Sequence, residues 1–243
     1  MIAFNASAQT STTATPSFPV KILTAAQVPA GIKYKGVFSF GYQWTDALGE
    51  NYLVGSTGKT VLTVKAKDNK EIEEDAYSKF LFAAHFIKTD TGYRLLWKLE
   101  DGVNSCPFDI TSAFLKNAVQ VTDLNKDGTA ETTVAYRVSC RSDVSPSEMK
   151  VIMHQGVKKY GLRGMMYVAA SEEELKKTPD RKELNLERVK IPYPKDSFDY
   201  DKETWGRYTT EKDFTGAPAS FLPFAQSLWR RFFNESKMIG QED

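Results

Sequence analysis

The sequence predicts a mainly β fold: antiparallel sheets, arranged as a sandwich or as propeller-like blades, with a C-terminal amphipathic helix in a β-rich α+β whole. Three observations carry this. Aromatic and aliphatic residues alternate with period two through much of residues 20–168. Strand-like segments follow one another with no long helical spacer, which favours antiparallel pairing. Near the end, the apolar period changes to three and four residues.

The strands come in order. Phe38, Phe40, Tyr42 and Trp44 alternate with smaller residues; a turn through Asp46-Ala47-Leu48-Gly49 leads into a returning strand, Tyr52 to Ser56. Val61 to Val64 and Phe80 to Ile87 read as further strands, the second apolar on both faces. Asp90-Thr91-Gly92 turns the chain into Tyr93, Leu95, Trp97 and Leu99. Val119 and Val121 enter a loop that Val134, Tyr136 and Val138 leave, and Met149 to Met153 and Tyr160 to Val168 complete the series. Ser145-Pro146-Ser147-Glu148 has the form of a capping box and predicts one helical turn.

After residue 170 the pattern changes. Ser171 to Lys177 fits a short helix, and the mixed charges around Pro192 and Pro194 read as a surface excursion within 171–215. Phe221, Phe224 or Ala225, Leu228, Trp229, Phe232 and Phe233 form a helical stripe with Ser220 as N-cap and Pro223 in the first turn. This stripe is expected to pack across the sheet. The domain reading is a tail over 1–19, a β-rich domain over 20–170, and an irregular segment with a helix over 171–243 packed on that domain. In the tail, Asn5-Ala6-Ser7-Ala8-Gln9 carries the small-x-small pattern of a signal cleavage site, without a basic start or a long apolar stretch. It reads as a signal remnant or as a disordered Ser/Thr/Ala tail.

Composition narrows the function classes. Lys plus Arg is 32 and Asp plus Glu 31, a net charge of +1 with no basic excess for nucleic acid. The two Cys and two His, at 106, 140, 85 and 154, lack the closely spaced C-x2–4-C and H-x3–5-H pairs of a Cys/His zinc site. No apolar run approaches the roughly 20 residues of a membrane-spanning helix. His85 shares its strand face with Leu81, Ala83 and Ile87 and reads as a buried, hydrogen-bonded core residue, while His154 reads as a turn residue beside Gln155-Gly156. No nucleophile triad or phosphate-binding glycine loop can be assembled, and catalytic residues stay unassigned.

The stretch richest in chemistry is Asp123-Leu124-Asn125-Lys126-Asp127-Gly128-Thr129-Ala130-Glu131. Oxygen-bearing side chains at positions 1, 3 and 5, glycine at 6 and a carboxylate at 9 suit Ca²⁺, which takes about six to eight oxygen ligands. The expected ligands are Asp123, Asn125, Asp127, the carbonyl of Thr129, and Glu131. Position 12, where an EF-hand carries Glu, is Val134, and the flanks are strands. The loop therefore resembles the strand–loop–strand calcium loop of integrin-type and related β-propeller repeats; an ordinary acidic turn is the alternative. Cys106 and Cys140 flank it, 34 positions apart. In an exported chain they pair as a disulfide; in a cytosolic one they are two buried thiols.

A wider likeness follows from Trp44-Thr45-Asp46, Gly49-Glu50-Asn51, Ala84-His85-Phe86, Leu96-Trp97-Lys98, Cys106-Pro107-Phe108-Asp109-Ile110-Thr111 and the acidic loop. Ser139-Cys140-Arg141-Ser142-Asp143-Val144-Ser145-Pro146, Met149-Lys150 and Tyr160 to Gly164 continue it. Together these resemble a family of exported bacterial proteins labelled surface polysaccharide biosynthesis proteins, over about residues 36–165, with Phe221 to Phe233 similar to that family's terminal helix. The resemblance implies a role in lipopolysaccharide or capsule formation and no catalytic residues. The expectation is an exported, calcium-stabilised, non-enzymatic protein, periplasmic, surface-located or secreted, with surface glycan or envelope proteins as partners. The alternative is a carboxylate-based glycan hydrolase.

Overall fold

The computed structural model describes residues 18–63, 75–169, 171–176 and 181–237. The tail over 1–17, Val64 and Lys177 lie outside the described residues. The first sheet is built from β1 (Lys21–Ile22), β2 (Val37–Asp46), β3 (Gly49–Thr57), β4 (Val61–Thr63), β5 (Ala76–Thr89) and β6 (Gly92–Cys106). Its order is β1-β2-β3-β5-β4, with β6 also paired to β5. The second sheet holds β7 (Asp109–Phe114), β8 (Gln120–Thr122), β9 (Glu131–Arg141), β10 (Glu148–Gln155) and β11 (Lys158–Met165), in the order β11-β10-β9-β7 with β8 on β9. Every pairing between these strands is antiparallel. The helices are α1 (Glu172–Lys176), α2 (Phe198–Thr204) and α3 (Phe221–Phe232).

Period-two alternation sets the layers. Trp44, Leu53, Leu81, Ala83, Trp97 and Leu99 of the first sheet meet Val134, Tyr136, Val138 and Ile152 of the second in one buried cluster. The opposite face of β10 turns Met149, Val151 and Met153 towards Phe221, Leu228 and Trp229 of α3. The opposite face of β3 turns Tyr52 and Val54 towards Leu23 and Ile32 near the N-terminal end of the described chain. The architecture is a two-sheet sandwich with an outer helical layer. Within the first sheet the Phe40 ring lies across its strand partner Gly55, where a Cβ would stand 2.2 Å from it.

The chain passes from the first sheet to the second between Cys106, the last residue of β6, and Asp109, the first of β7. At this corner Cys106 is bonded to Cys140 of β9. The bridge predicted for an exported chain is present, and it ties the two sheets together.

Three sequence expectations are corrected. His154 is no turn residue: it belongs to β10, is 4% exposed, and shares the inward face with Ile152. The turn comes two residues later, at Gly156, whose φ is +55°. Ser145 to Glu148 form no helical turn, because Glu148 opens β10 and Ser147 is drawn to Glu235 instead. The segment 171–215 is only partly a surface excursion. Leu184, Tyr208 and Phe214 are buried in the core with α3, and the backbone of Tyr208 bridges to Gly164. A Cβ on Gly164 would lie 2.2 Å from the carbonyl oxygen of Arg207, so only glycine admits this docking. Ser220 does hold the N-cap position of α3, without a side-chain capping bond.

The end of the described chain is fixed by one buried carboxylate. Glu235, 1% exposed, accepts from Arg137 at 2.6 Å, Arg141 at 2.8 Å, and both the amide and hydroxyl of Ser147 at 2.8 Å. Burial acts upward on its pKa, but the Arg141 and Ser147 donors outweigh it and hold the carboxyl below its usual range.

Candidate functional site

The loop 123–131 joins β8 to β9 as a hairpin, with Thr122 opposite Glu131. Lys126 and Gly128 take positive φ, 59° and 80°, which folds the loop tightly enough for its side chains to bond its own backbone. Asn125 Oδ1 accepts from the amide of Asp127 at 3.3 Å, and Asp127 Oδ1 accepts from the amide of Thr129 at 2.8 Å. Asn125 Nδ2 donates to Asp127 Oδ2 at 2.8 Å. Glu131 is fully buried; its Oε2 accepts from the Thr122 hydroxyl at 3.0 Å and from the Leu124 amide at 2.8 Å.

Gln155 stands between the two carboxylates. Its Nε2 donates to Asp127 Oδ2 at 2.8 Å and to Glu131 Oε1 at 3.4 Å. The Gln155 amide thus links Asp127 and Glu131, Asn125 joins Asp127 through its own amide, and Asp123 is half-buried in the same loop. Among the described residues no three His, Cys, Asp or Glu side chains converge into a ready-made metal cluster. The donors here are all hard oxygens, the type that Ca²⁺ takes.

Electrostatics separates the two carboxylates. Burial pushes Glu131 up to about 7 against the pull of Leu124 and Thr122, and the charge of Asp123 adds to the rise. On Asp127, desolvation also acts upward, but the donors of Thr129, Asn125 and Gln155 outweigh it and keep the carboxyl below its usual range.

The loop does not stand alone. Gly128 accepts from the amide of Ala47 at 2.8 Å, and the amide of Ala130 donates to Asp46 Oδ2 at 3.0 Å. Asp46 also accepts from Trp44 Nε1, from the Leu48 amide and from Asn51 Nδ2, each at 2.8 Å. Asn51 Oδ1 in turn meets His85 Nε2 at 2.9 Å. The two hairpin turns, one from each sheet, are therefore latched by the Asp46 carboxylate and by the backbone bond between Ala47 and Gly128. Sequence reasoning placed His85 correctly but missed Asp46 and Gln155 as partners of the loop. Gln155 faces Glu131 in register across β9 and β10, so the strand pairing was the signal for it.

His85 and His154 line the buried centre beneath this latch. His154 stacks on Trp97 with ring centroids 4.1 Å apart, and His85 packs against Trp44 at 5.0 Å. Burial lowers His85 to about 4, opposed by Asp46, and lowers His154 to about 3, with Lys159 and His85 adding. Both are neutral at pH 7. Below pH 6.5 the unfolded chain gains two protons that the folded chain refuses, so these residues withdraw stability as the pH falls. Glu131 acts oppositely down to about 4.5, because here the folded form holds the extra proton. In chelator the two histidines outweigh the one carboxyl, so stability should fall as the pH drops from 6.5 to 4.5, on the order of 1 kcal/mol per pH unit. Urea unfolding at several pH values should show it, and His154→Phe should flatten it; an equal slope in that variant would contradict the assignment.

Two concave regions of the described surface bear on ligand binding. One of about 490 Å³ lies beside Trp205 and Tyr167 and contains Glu174 and Glu203. Its carboxylates face cations: Glu203 meets Arg181 at 3.1 Å, and Glu174 meets Lys202 at 3.2 Å. The other, about 740 Å³, opens where β2, β3 and β5 approach β7, β9 and the end of α3.

The fold and the latched loop define a disulfide-bridged antiparallel sandwich, with no described helix long and apolar enough to cross a membrane. No protein-family model matches the chain, and no curated protein or solved structure matches it.

Proposed function

We propose that this chain is an exported, calcium-stabilised, non-enzymatic protein of the bacterial envelope that binds glycan and supports surface polysaccharide formation. One observation carries the calcium part: Asp127 and Glu131, from a loop latched to the opposite sheet, share a single amide donor from Gln155. A cation taking the place of that amide would engage both carboxylates and brace both sheets. Asp123, Asn125, Asp127, the Thr129 carbonyl and Glu131 would hold it. Ca²⁺ would supply charge neutralisation there, not chemistry on a substrate. The Cys106–Cys140 bridge supports an oxidising compartment. The polysaccharide role rests on the resemblance of residues 36–165 to the exported family.

Calorimetry on chelator-treated protein is the test. A Kd on the order of 10⁻⁴ M is expected, as for extracellular modules. At a hundredfold excess over Kd, calcium should add about 2.7 kcal/mol of stability, and Asp127→Ala should abolish that increment. Absence of binding heat at millimolar calcium would refute the reading. A carboxylate-based glycan hydrolase is the second reading, favoured by Glu174 and Glu203 in the pocket beside Trp205. Sugar release by the wild type and not by Glu203→Gln would select it instead.

A further inference from the structure

The larger groove carries a charge pattern that the chain as a whole lacks. Five cationic residues line it, namely Lys79, Lys116, Arg137, Arg231 and Lys237, and no Asp or Glu does so among the described residues. The chain holds 32 basic and 31 acidic residues, so this is local segregation and not a general excess. Lys79 lies on β5, Lys116 follows β7, and Arg231 lies near the end of α3; three separate elements aim positive charge into one concavity. None of these three makes an ion pair with another described residue, although Arg231 lies 4.9 Å from the Phe232 ring centroid. Arg137, also in the lining, shares the buried carboxylate of Glu235 with Arg141. Like charges gathered this way repel one another, and a bound anion would relieve them.

The rest of the lining suits sugar units. Phe40 and Phe114 meet edge to face at 4.9 Å, and Phe40 is pinned over Gly55 on the floor. Ring faces of this kind accept the apolar C–H face of a pyranose. Ser39 and Thr57, their hydroxyls 2.9 Å apart, and Asn117 place hydroxyl and amide groups along the wall. A volume of about 740 Å³ is within the range of small-ligand sites.

We propose that this groove binds an acidic oligosaccharide, a short run of sugar units bearing carboxylate or phosphate, with Lys79, Lys116 and Arg231 engaging the acid groups and Phe40 and Phe114 the sugar faces. The proposal rests on the glycan-binding part of the reading above but not on calcium.

The experiment is calorimetry of the full chain with four probes at low salt: trigalacturonate, a sugar phosphate, neutral maltotriose, and a DNA oligonucleotide of matched charge. At least one of the two acidic sugars should bind, more weakly as salt rises, and maltotriose should bind at least tenfold more weakly. The double variant Lys79→Gln/Arg231→Gln removes two charge-assisted contacts from residues without ion pairs. It should lose affinity roughly tenfold or more with an unchanged melting temperature. Equal affinity for maltotriose would overturn the acidic preference while leaving glycan binding intact. Equal or tighter binding of the oligonucleotide would overturn the saccharide assignment. Failure of both acidic sugars to bind, or no loss in the double variant, would remove the site. None of these outcomes depends on the calcium titration, so the two readings fail separately.

Discussion

Replacing Glu235 by Ala is expected to be the most damaging single substitution away from the hydrophobic core, costing about 3–5 kcal/mol. The reason is what would be left behind. Arg137 is 6% exposed, and its guanidinium, with that of Arg141, would face the Ser147 amide with no anion between them. A buried charge without its partner keeps the full cost of its desolvation. For a chain of this size each kcal/mol corresponds to about 2–4 °C in melting temperature, so a loss on the order of 10 °C or more is expected. Glu235→Gln should fall between the two, since its carbonyl can still accept from Arg while its charge is gone. Thermal unfolding of the three proteins measures this directly; a Glu235→Ala protein melting within 2 °C or so of wild type would show that the cluster contributes little.

Reduction of the Cys106–Cys140 bridge, or its replacement by two alanines, is expected to cost about 3–4 kcal/mol. The bond closes a loop of 34 residues and restricts the unfolded chain accordingly. The native geometry should survive, since β7 still pairs with β9 from Asp109↔Arg141 to Phe114↔Tyr136. The loss should therefore appear as a lower urea midpoint, not as a changed fold. An unaltered midpoint after complete reduction, checked by thiol counting, would mean that the unfolded chain was already compact around that corner.

The sandwich was legible because its signal is local. Phe40, Tyr42 and Trp44, like Val134, Tyr136 and Val138, put every second side chain on one face, and that face is the core. The hairpin holding the acidic loop was legible for the same reason, and the two cysteines could pair only with each other. What stayed hidden depends on partners far apart in the chain. Glu235 binds residues 88 to 98 positions away, and no spacing rule reaches that distance. The segment around Tyr208 and Phe214 buries isolated anchors between charged and proline-rich stretches, so it shows neither helical nor strand period. His154 was misread because Gln155-Gly156 is a good turn signal, yet the alternation from Ile152 already assigned it to the inner face. The latch at Asp46 joins loops 84 positions apart and was written in neither alone.

The helical layer gives the protein a direction in time. The eleven described strands are complete by Met165, but the outer face of the second sheet, with Met149, Val151, Met153, Tyr160 and Leu162, is covered only by later residues: Leu184, Tyr208 and Phe214, and last Phe221 to Trp229. A chain emerging from a ribosome or a translocation pore thus presents a finished sheet with an apolar side whose cover is completed only after more than fifty further residues. Glu235 then closes the structure from its far end. Truncation anywhere before Trp229 should accordingly produce aggregates and not a smaller working protein, and a holding chaperone would act during that interval, on that face.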